Sequence, residues 1–204
     1  MAYSQFTLDM IEEQFNISQV RETLFHTVKP IPMSDWLNKR LTGGIQIAFI
    51  SESEKARSEF IIAPILFEWQ EHNQNFTLYS GRNFDVDAKR GLTGECDFII
   101  TLTPPMQTIH APVITMLEAK KQNIEQHLGQ CAAQMIGAKQ FNEQKDKQEI
   151  DMIFGCVTTG EAWQFLKLRQ NTLTIDSNRY YLNDVAVILG VLQIISENFG
   201  SPTT

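Results

Sequence analysis

Three side chains near the middle of the chain, Asp97, Glu118 and Lys120, have the types and spacing to hold a divalent cation and hydrolyse a phosphodiester. The acids stand twenty-one positions apart, Asp97 at the head of the apolar run Phe98-Ile99-Ile100 and Glu118 near the end of Val113–Ala119. Both runs read as strands. Side chains alternate along a strand, so Glu118 and Lys120 share one face while Ala119 points into the opposite layer. If the strands pair so that Asp97 neighbours Glu118, two carboxylates and an ammonium converge. Hard oxygen anions suit Mg²⁺ or Mn²⁺, which bind a few carboxylates and keep several waters, and the backbone carbonyl of Ala119 is a further candidate ligand. Lys120 would orient and help deprotonate the attacking water, while the cation offsets the charge that develops on the phosphate. A surface ion pair between Glu118 and Lys120 on an edge strand fits the tripeptide as well.

Two other features bear on that choice. Glu59 has Ala56, Ile62, Ala63 and Leu66 at −3, +3, +4 and +7, the apolar side of a helix, and a buried carboxylate is costly without a cation or hydrogen bonds. Glu59 is therefore a candidate metal or water ligand, the alternative being a buried salt bridge or a boundary glutamate shielded by Arg57. On the helix after Lys120, the residues Asn123, His127, Gln130 and Gln134 recur at steps of four, three and four. Amides and an imidazole in such a row could hold the lysine, a substrate phosphate or a water, although a solvated helix face also accommodates glutamine.

The elements that position these residues follow from periodicity. Leu8, Ile11 and Phe15, then Val20, Leu24 and Phe25, predict two short helices, with a third over 34–41. Ser51-Glu52-Ser53-Glu54 reads as a capping box opening a helix to about Glu71, kinked at Pro64. A strand at 76–79, a loop over 81–95 able to act as a substrate-contacting flap, and strands at 98–102 and 113–119 follow. Ile124, Leu128, Cys131, Met135 and Ala138 mark an amphipathic helix over 123–141. Strands at 151–157 and 162–168, a strand pair within 172–182 and a helix over 184–199 complete an α/β chain with a mixed central sheet flanked by helices. Residues 1–50 form an N-terminal helical elaboration, and 51–204 the core.

Composition bounds the function further. The chain has 204 residues, 43% of them hydrophobic and 20% charged, which disfavours disorder, and no apolar run reaches the ~18 residues of a membrane span. The acidic start MAYSQFTLDMIEEQF lacks a secretory pattern, so a cytoplasmic location is expected. Cys96, Cys131 and Cys156 read as buried thiols. A formal net charge of −7 opposes nonspecific binding to nucleic acid, yet residues 81–147 carry 8 basic and 8 acidic groups and would become locally positive with a bound dication. Arg82, Lys89, Arg90, Lys121 and Lys139 could track a phosphate backbone there, or serve only as solubilising charge.

The ordered motifs resemble the PD-(D/E)XK nuclease superfamily, most closely the nuclease domain of type I restriction enzyme motor subunits and their stand-alone relatives. The resemblance rests on Arg57-Ser58-Glu59 before Ala63-Pro64-Ile65-Leu66, on Gly94-Glu95-Cys96-Asp97-Phe98, on Leu117-Glu118-Ala119-Lys120-Lys121, on Gly129-Gln130, and on Ile153-Phe154-Gly155 through Thr159-Gly160 to Trp163-Gln164-Phe165. It covers about residues 51–168 and departs from the family at Cys96, where proline is frequent, and at Gln134, where tyrosine is common. It implies a restriction-endonuclease-like fold, a Mg²⁺ or Mn²⁺ cofactor and hydrolysis of nucleic-acid phosphodiesters, most simply DNA. Asp97 and Glu118 would bind the metal, Glu59 assist, Lys120 activate water and Gln130 orient the site. A non-catalytic binding or assembly module on the same fold is the rival reading, and the acidic surface suits a protein partner. The apolar helix containing Val187, Ile188, Val191, Leu192 and Ile195 reads as core more readily than as a homodimer interface, although paired sites would serve double-strand cuts.

Overall fold

Runs rich in Val, Ile, Leu and Phe alternate with amphipathic stretches along the chain. In the computed structural model, which describes residues 1–147 and 150–200, these runs build one mixed eight-stranded sheet flanked by helices. The strands are β1 (Ser18–Glu22), β2 (Thr77–Asn83), β3 (Glu95–Thr101), β4 (Val113–Ala119), β5 (Met152–Thr158), β6 (Ala162–Arg169), β7 (Thr172–Asp176) and β8 (Tyr180–Tyr181). Their order is β1-β7-β6-β5-β4-β3-β2, with β8 pairing β6. The β4–β5 and β1–β7 pairs are parallel and the others antiparallel. All seven residues of β4 are buried, as a strand covered on both faces requires.

Helices α2 (Asp35–Ser51), α4 (Ala63–Glu71) and α6 (Val185–Glu197) cover one face, packing Leu41, Leu66, Trp69 and Leu192 on Phe98, Leu117 and Phe165. Helices α1 (Leu8–Phe15) and α5 (Ile124–Gln144) cover the other. The predicted stripe of α5, Ile124, Leu128, Cys131, Met135 and Ala138, is buried throughout. The N-terminal segment crosses α5 at Gly129, where a Cβ would lie 2.5 Å from the Phe6 carbonyl oxygen, so only glycine permits that approach. Ile188, Val191, Leu192 and Ile195 of α6 are core, which accounts for its apolar face. Among the described residues no helix is long and apolar enough to cross a membrane.

Several local expectations change. The stretch holding Val20, Leu24 and Phe25 is not helical: Ser18–Glu22 form edge strand β1 alongside β7, because the exposed edge of β7 supplies backbone partners that five residues of helix could not match. Residues 1–50 thus contribute a strand as well as helices. The third helix runs to Ser51, well beyond Leu41, and the next cap is Ser53, whose hydroxyl accepts from the Ala56 amide at 3.0 Å. Helix α3 (Glu54–Arg57) then passes into a π-helical turn, Ser58–Ile62, closed by a bond from the Ala63 amide to the Ser58 carbonyl. Pro64 lacks an amide to donate back to Phe60, so the turn before it widens and the irregularity precedes the proline instead of centring on it. Strand β2 reaches Asn83, which takes 81–83 out of the predicted loop. The expected strand pair within 172–182 is β7 and β8, each pairing β6 and not the other. Of the predicted core, 148–149 and 201–204 lie outside the described residues.

Candidate functional site

The β3–β4 ladder ends at the pair Phe98–Leu117, and one further step of that register sets Asp97 level with Glu118. Beyond this point the Asp97 side chain replaces a ladder carbonyl: its Oδ2 accepts from the Ala119 amide at 2.7 Å. The two carboxyl groups are near enough for each to act on the other's charge. Strand alternation sends Ala119 into the core beneath α2, α4 and α6, and Glu118 toward α5. Lys120 continues from β4, its amide bonded to the Thr158 carbonyl at 2.8 Å and its Nζ 2.7 Å from Glu118 Oε1. The register and these bonds bring Asp97, Glu118 and Lys120 to one end of the β3–β4 pair.

Helix α5 completes the cluster. Gln130 Nε2 donates to Glu118 Oε1, and Gln134 Nε2 donates to Glu118 Oε2 at 2.7 Å. The polar row of α5 is therefore not a solvated face at these positions, since both glutamines are buried. Gln134, a candidate substrate contact, holds Glu118 from the same helix. The Gln134 Oε1 atom has no partner among the described residues. His127 is half-buried on the same helix, and burial first, then the positive charge of Lys120, push its imidazolium down, so it is neutral at pH 7.

The site is an acid-rich, largely buried cluster. Glu118 is 3% exposed, and burial first, then the negative charge of Asp97, push its carboxyl up to about 7. Burial also raises Asp97. For Lys120 burial alone would lower the affinity for its proton, but Glu118, Glu54 and Asp97 outweigh it and the net direction is up. One lysine thus faces two adjoining acids. A carboxylate offers about four lone-pair positions, and Glu118 uses three of them on Lys120, Gln130 and Gln134. Among the described residues no group of three or more His, Cys, Asp or Glu is gathered in metal-ligating geometry. Two carboxylates and a nearby main-chain carbonyl make the sparse, all-oxygen donor set that suits magnesium, which fills its remaining positions with water and substrate oxygens.

Glu59 is corrected. Its side chain is 55% exposed and pairs with Lys55 at 3.8 Å. The π-helical turn breaks the regular helical spacing from which its burial was inferred. The acid that this segment delivers to the cluster is Glu54, whose Oε1 lies 3.9 Å from Lys120 Nζ. In the sequence Glu54 reads as the closing residue of a capping box, and only its place in the first turn of α3 hints at more.

The candidate phosphate-tracking cations divide. Arg82 stands opposite Cys96, one residue before Asp97, stacked 5.9 Å over Tyr79, and Lys121 follows Lys120, 3.9 Å from Glu52. Both flank the site and are exposed. Lys89 is exposed on a 3₁₀ turn, Ala88–Arg90. Arg90 lies over Phe15 at 4.4 Å, and Lys139 bonds the Gln170 carbonyl at 2.7 Å at the far end of α5. The three cysteines are buried and unbridged, with their thiols pushed up by burial. Neither the protein-family models nor the curated proteins compared with this chain match it.

Proposed function

We propose that this chain is a magnesium- or manganese-dependent nuclease with a restriction-endonuclease-like core, hydrolysing phosphodiester bonds of nucleic acid, with DNA as the favoured substrate. The observation that carries the reading is the meeting of Asp97, Glu118 and Lys120 where β3 and β4 part, with Gln130 locking Glu118 from α5. Asp97, Glu118 and the Ala119 carbonyl would hold the cation. Once bound, a divalent ion supplies Lewis-acid polarisation of the phosphate and a lower pKa for the attacking water.

The protein's own residues supply the rest. Gln130 and Gln134 fix the Glu118 carboxylate in one orientation, which removes the entropy cost of ordering it when substrate arrives. Lys120 brings an ammonium to the edge of the acid pair, able to orient water and to offset charge building on a non-bridging phosphate oxygen. Arg82 and Lys121 sit where a nucleic-acid backbone would approach.

The test is cleavage of supercoiled plasmid, linear duplex, single-stranded DNA and RNA with Mg²⁺ or Mn²⁺, against a chelator control. Asp97→Asn and Lys120→Ala should each lower the rate by about a hundredfold or more while keeping the circular dichroism spectrum of the parent. Wild-type protein that cuts none of these substrates with either metal would replace the proposal with a non-catalytic binding or assembly module on the same fold.

A further inference from the structure

Lys167 occupies a position that strand alternation reserves for the core. On β6 it shares a face with Trp163 and Phe165, both fully buried, and Arg169 follows on that face. It stands opposite Phe154 on β5 and Thr174 on β7 and is half-buried. Among the described residues Lys167 has no ion-pair or hydrogen-bond partner. A cation on an inward-facing strand position is costly to keep without an anion.

The space beside it is a cleft of about 150 Å³, walled by Leu24, Phe25, Met152, Phe154 and Ile194, with Asn198 at its side and Lys167 and Arg169 as its charged lining. Arg169 spends its Nε on Asp151 at 2.8 Å, which leaves its terminal nitrogens for another acceptor. A cavity of that order takes up a single benzene ring. Two cations and five apolar side chains within one small cleft match a ligand with one negative end and one apolar body.

We infer that this cleft binds a small organic monoanion, a carboxylate carried on one ring or a short aliphatic chain. The carboxylate pairs with Lys167 and the terminal nitrogens of Arg169, and the body lies against Phe154 and Ile194. The cleft lies on the α6 side of the sheet, whereas Glu118 faces α5, and it lies near Met152, roughly 20 Å along β5 from the Thr158 end. It shares no residue with the acidic site, and its ligand has the opposite charge, so this inference stands or falls independently of the nuclease reading.

The experiment is methyl NMR of the full chain in chelator, following Leu24, Met152 and Ile194 during titration with benzoate, hexanoate, benzyl alcohol and benzylamine. Benzoate and hexanoate should shift these methyls saturably in the millimolar range or tighter, and benzylamine should not. Lys167→Met, which keeps the stem and removes the charge, should weaken benzoate by about tenfold or more, the usual cost of losing a hydrogen bond to a charged group. The wild-type comparison of acid, alcohol and amine is decisive even if that variant misfolds. Absence of shifts with either carboxylate, benzyl alcohol binding as tightly as benzoate, or undiminished benzoate binding by Lys167→Met would each overturn the inference.

Discussion

Replacing Glu118 by glutamine should remove a specific part of the protein's pH dependence. The folded chain holds the Glu118 proton up to about pH 7, against an ordinary glutamate value of 4.5, because burial and the adjacent Asp97 disfavour the charge. A group that binds its proton more tightly when folded contributes most below its unfolded value, and that contribution falls as pH rises toward the folded one. At about 1.4 kcal/mol per pH unit, Glu118 alone accounts for about 3 kcal/mol of stability lost between pH 4.5 and pH 7. Asp97, also raised by burial, adds in the same direction. Lys120 adds no slope in this window, since its proton affinity is raised from 10.5 and its stabilisation, present in full below that value, is lost only above it. For a chain of this length the Glu118 share corresponds to roughly 6–12 °C in melting temperature. The assay is thermal melting by circular dichroism in chelator at pH 4.5, 6 and 8, for wild type and Glu118→Gln. The gap between the two proteins should change by about 3 kcal/mol across the range. Parallel pH profiles would refute the argument that burial beside Asp97 governs this carboxyl.

Three further outcomes are expected. Mg²⁺ at a hundredfold excess over its dissociation constant should stabilise wild type by about 2.7 kcal/mol at pH 8, raising the melting temperature by several degrees, and Asp97→Asn should abolish the rise. Glu59→Ala should change stability by less than about 0.5 kcal/mol and leave cleavage near wild type, because its partner is an exposed lysine, whereas Glu54→Ala should slow cleavage measurably in the plasmid assay. Gly129→Ala should cost about 2 kcal/mol or more in urea unfolding, since the added methyl meets the Phe6 and Thr7 backbone, which cannot yield as a side chain can. An unchanged midpoint would show that the N-terminal segment is not held against α5.

Periodicity and chemical type were enough to find the central strands, the amphipathic helix α5 and the convergence of residues 97, 118 and 120. Those features are local: alternation fixes which face Glu118 and Lys120 share, and the three-four stripe fixes which side of α5 meets the sheet. Gln130 was legible from the polar row of α5 and from the Gly129-Gln130 resemblance, although only the fold reveals that Gln134 serves the same carboxylate.

What sequence could not decide is whatever depends on a partner distant along the chain. Residues 18–22 have no strong preference of their own, and the edge of β7, more than 150 positions later, makes them a strand. Glu54 and not Glu59 reaches Lys120, because a π-helical turn breaks the spacing that a regular helix would keep, and Pro64 marks an irregularity without stating that it falls ahead of the proline. Lys167 looks like an ordinary surface lysine until its face of β6 is seen to continue Trp163 and Phe165. Local pattern specified the elements and the acid pair, and the packing of distant segments decided which polar groups are buried and which of them find a partner.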